Sequence, residues 1–186
     1  RYFADQGWLK SYFLFSFDKY FDPANVQWGN LRVFNEDIIA PNSGFPPHPH
    51  QDMEIITIPL DGAISHEDSS SGKGTIGAGK IQIMTAGTGI VHSEANKGET
   101  PSHLYQIWFL PRRHGLVPSY REVDISKKVP KNKLVLVASG KEGLGQAFLN
   151  TDAALFLAST VKDTEFHYRT QAKNKSLVYV TRGTLS

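Results

Sequence analysis

No stretch of a dozen residues keeps an apolar stripe at helical spacing, so regular structure in this chain must come from short extended segments. Ile55–Ile58, Ile81–Met84, Leu104–Leu110, Leu134–Ala138, Ala153–Ala158 and Leu177–Val180 are rich in β-branched and aromatic residues and too short for helices. Turn chemistry separates them: Leu60-Asp61-Gly62, Ser69 to Gly74, Gly77-Ala78-Gly79, Gly87-Thr88-Gly89, Gly140 to Gly145 and Arg182-Gly183. Glycine supplies positive φ at such points and Asp tolerates it. The pattern predicts an all-β sandwich or barrel.

Composition narrows the chemistry. With no cysteine among 186 residues, disulfides, thiolate zinc sites and cysteine nucleophiles are excluded, so any metal must be held by imidazole and carboxylate. A net charge of +2 gives no concentrated basic patch for phosphate, so no direct nucleic-acid ligand is expected. The cluster Lys127 to Lys133 is diluted by Val129, Pro130 and Asn132 and reads as a solvated linker. No apolar run is long enough for a membrane span, and no signal-peptide pattern opens the sequence, which gives a cytoplasmic expectation.

Two units are expected along the chain. Residues 1–116 suffice for one small barrel, the polar stretch 117–132 with Pro118 and Pro130 reads as a connector, and 133–186 start a second barrel. A faint repeat supports this: a shift of 121 residues lays Ile56–Ser65 over Leu177–Ser186, with Gly62 on Gly183. The same register puts His48 on Arg169, His50 on Gln171 and Glu54 on Lys175, so the second copy would lack liganding side chains. Leu177–Arg182, Gly183 and Thr184–Ser186 read as a strand, a turn and the beginning of a return. The second barrel is thus expected to be incomplete here, within a longer protein.

Seven histidines are present, and three of them fall in tight pairs: His48-Pro49-His50 and His92-Ser93-Glu94. In a strand, residues i and i+2 project from one face, so each pair offers two ligands side by side. Were the two strands neighbours, three imidazoles and a carboxylate would converge. That set suits a divalent first-row ion: iron, manganese, cobalt, nickel, copper or zinc. Glu54 shares sequence parity with His48 and His50 and competes with Glu94 as the carboxylate. His66, within Ser65-His66-Glu67-Asp68, suits a structural hydrogen-bonding role, while His103, His114 and His167 stand alone and carry no assignment. Phe45, Met84 and Trp108 are candidate pocket walls as well as candidate core.

Read together, these segments resemble a known signature. His48-Pro49-His50-Gln51-Asp52-Met53-Glu54 leads through Leu60-Asp61-Gly62 and His66-Glu67-Asp68-Ser69 to Met84-Thr85-Ala86-Gly87-Thr88-Gly89-Ile90-Val91-His92-Ser93-Glu94. The combination is similar to the pirin family of the cupin superfamily. The likeness extends upstream through Gly7-Trp8-Leu9, Phe15-Ser16-Phe17, Leu31-Arg32-Val33 and Gly44-Phe45, and downstream through His103–Trp108 and Pro118-Ser119-Tyr120. It is strong over about residues 7–121 and weak beyond.

The resemblance implies a bicupin, two antiparallel jelly-roll β-barrels of which only the first holds a metal. Carried over by position, the ligands are His48, His50, His92 and Glu94. The implied cofactor is one divalent ion, Fe(II) first among those named. The implied activity is an oxidoreductase of the quercetin 2,3-dioxygenase type, opening a flavonol with O2 and releasing CO. Glu94 or Glu54 would take up the substrate's proton. The alternative is a non-enzymatic regulatory protein that binds an enzyme or transcription factor, with a redox change at the metal shifting a loop such as Ser69 to Gly74.

Overall fold

The computed structural model describes residues 1–161, 163–170 and 174–185, and those residues form strands, turns and loops with no helix among them. None of their segments is a helix long and apolar enough to cross a membrane.

The largest element is a seven-stranded antiparallel sheet. In spatial order it contains β1 (Tyr2–Asp5), β2 (Leu9–Phe13), β3 (Leu31–Ile39), β10 (Ser102–Phe109), β5 (Glu54–Asp61), β8 (Lys80–Thr85) and β11 (Ser119–Asp124). Facing it is a four-stranded sheet of β4 (Ser43–His50), β9 (Ile90–Asn96), β6 (Ala63–Asp68) and β7 (Lys73–Gly77), also antiparallel. A third, three-stranded sheet joins β13 (Ala147–Phe148), β12 (Leu134–Ser139) and β14 (Ala154–Ala158), with the short β12–β13 pairing parallel.

The large sheet is buried on both faces, which explains the run Ile55-Ile56-Thr57-Ile58. Ile56 and Ile58 point away from the four-stranded sheet and join Ile81, Ile83, Tyr105, Ile107 and Phe109 against Val137, Ala138 and Leu149. Ile55, one residue out of phase, packs with Met84, Ala86 and Ile90 between the two facing sheets, and Leu9, Ile39, Leu104, Ile64 and Ile76 fill the other end of that space. Burying each such side chain contributes about 1.5–3 kcal/mol. Thr57, Gln82, Gln106 and Asp37 occupy inward positions between these two apolar clusters, and all are buried. The first barrel therefore has apolar ends and a polar middle.

Two segments differ from the sequence reading. The stretch expected as a connector contains β11, which runs antiparallel to β8 in register Ser119↔Thr85 to Asp124↔Lys80. Its polar composition hid a strand whose stability comes from backbone pairing to an apolar neighbour. Leu177–Val180, read as a strand, pairs with no strand among the described residues. Val178 is exposed, and Tyr179 alone reaches the core, stacking on Phe34 at 4.5 Å. Alternation sets the faces of a segment but cannot supply a partner. Among the described residues after 133, three strands form one small sheet, β13-β12-β14. Of the proposed repeat, Gln171 and Ser186 lie outside the described residues.

Candidate metal centre

β4 and β9 are direct neighbours. Phe45 lies opposite Glu94, the register slips by one residue, and His48 then lies opposite His92 and His50 opposite Ile90. The slip falls at Pro46-Pro47, which have no N–H to donate to the ladder. β4 is the edge of its sheet, where proline and bulges are tolerated. Because the bulge precedes His48, it leaves the His48/His50 spacing intact. The rings of His48, His50 and His92 form a near-equilateral triangle with centroid separations of 4.4, 4.8 and 4.8 Å. One ring nitrogen from each lies within 4.8 Å of the other two.

Hydrogen bonding leaves the metal-facing atoms free. His48 Nδ1 donates to the Pro46 carbonyl at 2.8 Å, so its Nε2 carries the lone pair. His50 Nε2 and His92 Nε2 are buried and without a partner, an arrangement that costs free energy unless something accepts their electrons. Burial, reinforced by the neighbouring His48, lowers the pKa of His50 to about 4. Burial, then His48 and His50, lowers that of His92 to about 2. His50 and His92 are therefore neutral imidazoles near neutral pH, the form that binds metal. The residues present thus fit a divalent ion.

Glu94 follows His92 by two residues on the same face and is fully enclosed. Its Oε2 accepts from Gln106 at 2.6 Å, and its Oε1 accepts from Gln82 and Thr57 at 3.4 Å each. Burial pushes its pKa up to about 7 against these donors. Its carboxylate groups with His66 and His92 rather than with His48 and His50, giving a second triad of possible ligands that shares His92. The histidine triad fits an ion better. Both nitrogens of His66 are committed, to Asp68 at 2.7 Å and to Gln82 and His92 at 3.3 Å, whereas the Nε2 atoms of His50 and His92 are not.

Asp37, also inside the barrel, accepts from Ser11 Oγ at 2.5 Å, and burial pushes its pKa to about 7 from 3.8. Its stabilising effect is therefore complete below pH 3.8 and is lost as pH rises through 7, at about 1.4 kcal/mol per pH unit for one proton. Asp37→Asn is expected to unfold at higher urea than the parent at pH 8, by about 2 kcal/mol or more, with the gap closing toward pH 4. Urea titrations at the two pH values measure it.

Glu54 is not brought to the histidines. Asp52, with φ of 49°, turns the chain out of β4, and Glu54 opens β5 in the other sheet, so its parity with His50 has no spatial meaning. Its side chain lies on the Ile56 side, where Oε2 accepts the Asn150 N–H at 3.0 Å. Phe45 packs edge-on against Trp8, Met84 is fully buried, and Trp108 sets its ring edge-to-face against His50 at 4.7 Å. His103 pairs with Glu36, His114 with Asp52 and His167 with Glu165. The sequence reading missed Gln82, Gln106 and Thr57. Their signal was a polar residue at an alternating position inside an apolar strand.

Comparison with known proteins now adds to this geometry. The family model described as Pirin matches residues 1–109. The chain belongs to the pirin family. This pirin is 45% identical over 174 residues to a pirin-like protein of Caulobacter vibrioides, covering 93% of this chain and 75% of the relative. It is 38% identical over 184 residues to the protein named quercetin 2,3-dioxygenase in Escherichia coli K12, covering 98% of this chain and 78% of that one. The crystal structure of the bacterial pirin YhhW of Escherichia coli in complex with nickel(II) superposes with a TM-score of 0.76 at 41% identity, over 84% of this chain and 66% of that one. The pirin is accordingly an all-β protein of antiparallel sheets with the cupin fold, and the nickel-bound relative together with its own cluster of His and Glu side chains supports a divalent metal.

Proposed function

We propose that this pirin holds one divalent ion, Fe(II), through His48, His50, His92 and Glu94, and opens the heterocyclic ring of a flavonol such as quercetin with O2, releasing CO. The observation that carries the reading is the convergence of three imidazoles, of which His50 and His92 have buried Nε2 atoms with no partner among the described residues. The name of the Escherichia coli relative supports the substrate class, and nickel in YhhW supports a divalent ion. Nickel, cobalt, manganese, copper and zinc suit the same donors. Residues 1–116 would form the metal-binding unit, and 133–186 the start of a metal-free one.

A bound ion of this kind supplies Lewis acidity, lowering the pKa of a flavonol 3-hydroxyl as it lowers that of water. The chain's own residues do the rest. His48, half-buried, marks the open side of the triad. A groove of about 360 Å3 is bounded by Pro49, His50, Gln51, Ile90 and Val91, and His50 is the member of the triad that reaches it. Glu94, its oxygens steadied by Gln106 and Gln82, would take up the hydroxyl proton. Glu54 faces the other side of the large sheet and is assigned to holding Asn150.

Anaerobic loading with Fe(II), followed by quercetin and O2, tests the reading. One CO per flavonol consumed is expected, with none from protein stripped by chelator. Retained metal without CO from any flavonol would overturn the enzyme and favour a regulatory protein that binds a partner.

A further inference from the structure

Beside the triad lies a chain of committed polar atoms that the proposed reaction does not use. Asp68 ends β6. Its Oδ1 accepts from the Ser70 N–H at 2.8 Å, the Ser70 hydroxyl at 2.7 Å and the Gly72 N–H at 2.9 Å. Its Oδ2 meets His66 Nε2 at 2.7 Å. The imidazole of His66 stacks on Tyr120 with centroids 4.4 Å apart and planes 16° from parallel, so it cannot turn freely. Its Nδ1 is 3.3 Å from Gln82 Nε2 and 3.3 Å from His92 Nδ1.

The proton positions follow from both ends of this chain. Gln82 Nε2 also reaches Glu94 Oε1, and only the amide nitrogen can face a carboxylate oxygen favourably. Its other hydrogen therefore points at His66 Nδ1, which must be bare. At the far end Asp68, an acceptor, requires the proton of His66 on Nε2. Both demands give one tautomer. The one lone pair of the bare His66 Nδ1 is then shared between Gln82 Nε2 and His92 Nδ1, each at 3.3 Å, so His92 carries its ring's proton on Nδ1, and its Nε2 is left bare and aimed at His48 and His50.

We propose that Asp68 and His66 are positioning residues that lock His92 in the tautomer whose Nε2 receives the metal. The proposal rests on His92 being a ligand, as argued above. A histidine ligand's second nitrogen normally finds an outer acceptor that fixes the ring and its tautomer. Here that acceptor is another histidine, itself fixed by a carboxylate saturated on its other oxygen. The same contacts tie the Ser69–Gly72 turn to the ligand.

Asp68→Asn makes the test sharp. Three donors converge on Oδ1, so the amide oxygen must take that place and the NH2 must face His66 Nε2. That reverses the His66 tautomer, places its proton against His92 Nδ1, and drives the proton of His92 to Nε2, where a metal must displace it. The measurement is 15N NMR of histidine-labelled, metal-free protein, together with the Ni(II) dissociation constant by chelator competition.

In the wild type, His92 should show a protonated Nδ1 and bare Nε2. Asp68→Asn should reverse this and weaken Ni(II) about 10–100-fold. A wild-type His92 protonated on Nε2 overturns the relay whatever the variant does, and so do an unchanged tautomer and affinity in a folded Asp68→Asn. Wild-type protein that binds Ni(II) without His92 would instead refute the metal centre, leaving the tautomer measurement to judge the relay alone.

Discussion

His92→Ala is expected to abolish stoichiometric metal binding. His92 is the deepest of the three imidazoles, stands opposite His48 across the β4–β9 ladder, and belongs to both groups of possible ligands. Losing it leaves two half-buried imidazoles on an edge strand. The affinity for Ni(II) should fall by more than the roughly hundredfold that removal of an outer hydrogen-bond partner can cost. Heating in the presence of metal should show the same result: the ion stabilises the parent in proportion to its binding and does nothing for the variant. His114→Ala, an exposed histidine paired only with Asp52, serves as the comparison and should bind as the parent does. Full occupancy in His92→Ala by elemental analysis would remove the basis of the proposed centre.

Gly44→Val is expected to damage the fold and the centre together. A Cβ at position 44 would run into the carbonyl oxygen of Glu94 and the Cα of Ala95, so the two strands touch there through bare backbone. Any side chain must push β4 off β9 just before the bulge that sets His48 opposite His92. Overpacking of this kind costs about 1–3 kcal/mol, which in a chain of this size lowers the melting temperature by about 2–4 °C per kcal/mol. Metal affinity should drop as well, because His48 and His50 on β4 move relative to His92 and Glu94 on β9. Val91→Ala, an outward-facing change on β9, should alter neither. Differential scanning calorimetry with and without Ni(II) checks both effects.

Much of the candidate centre was legible because the two pairs of proposed ligands obey the period of a strand. His48 and His50, and His92 and Glu94, share faces whatever the tertiary structure, and the turn glycines around them marked where each strand ends. What alternation could not convey was the change of sheet. Glu54 looked like a continuation of the His48/His50 face only because three intervening residues preserve parity. The positive φ of Asp52 sends the chain across the barrel, and the carboxylate ends up on Asn150. β11 was missed because its residues are polar and its partner supplies the apolar surface, and Leu177–Val180 was overread because a strand-like pattern does not guarantee a neighbour. Gln82 between Ile81 and Ile83 announced an inward polar position, but its tie to both Glu94 and His66 depended on strands that are distant in sequence.

The double burial of the seven-stranded sheet sets a limit on modularity. The proposed ligands all come from the facing four-stranded sheet, yet the strands behind them are roofed by Val137, Ala138 and Leu149 from beyond residue 133. A metal-binding half transplanted without that roof would present an aliphatic wall of Ile56, Ile58, Ile83 and Ile107 to water. Such a wall invites self-association. The segment beyond residue 133 therefore acts as a hydrophobic cover for the seven-stranded sheet, and the two would have to travel together through any recombination or engineering of this fold.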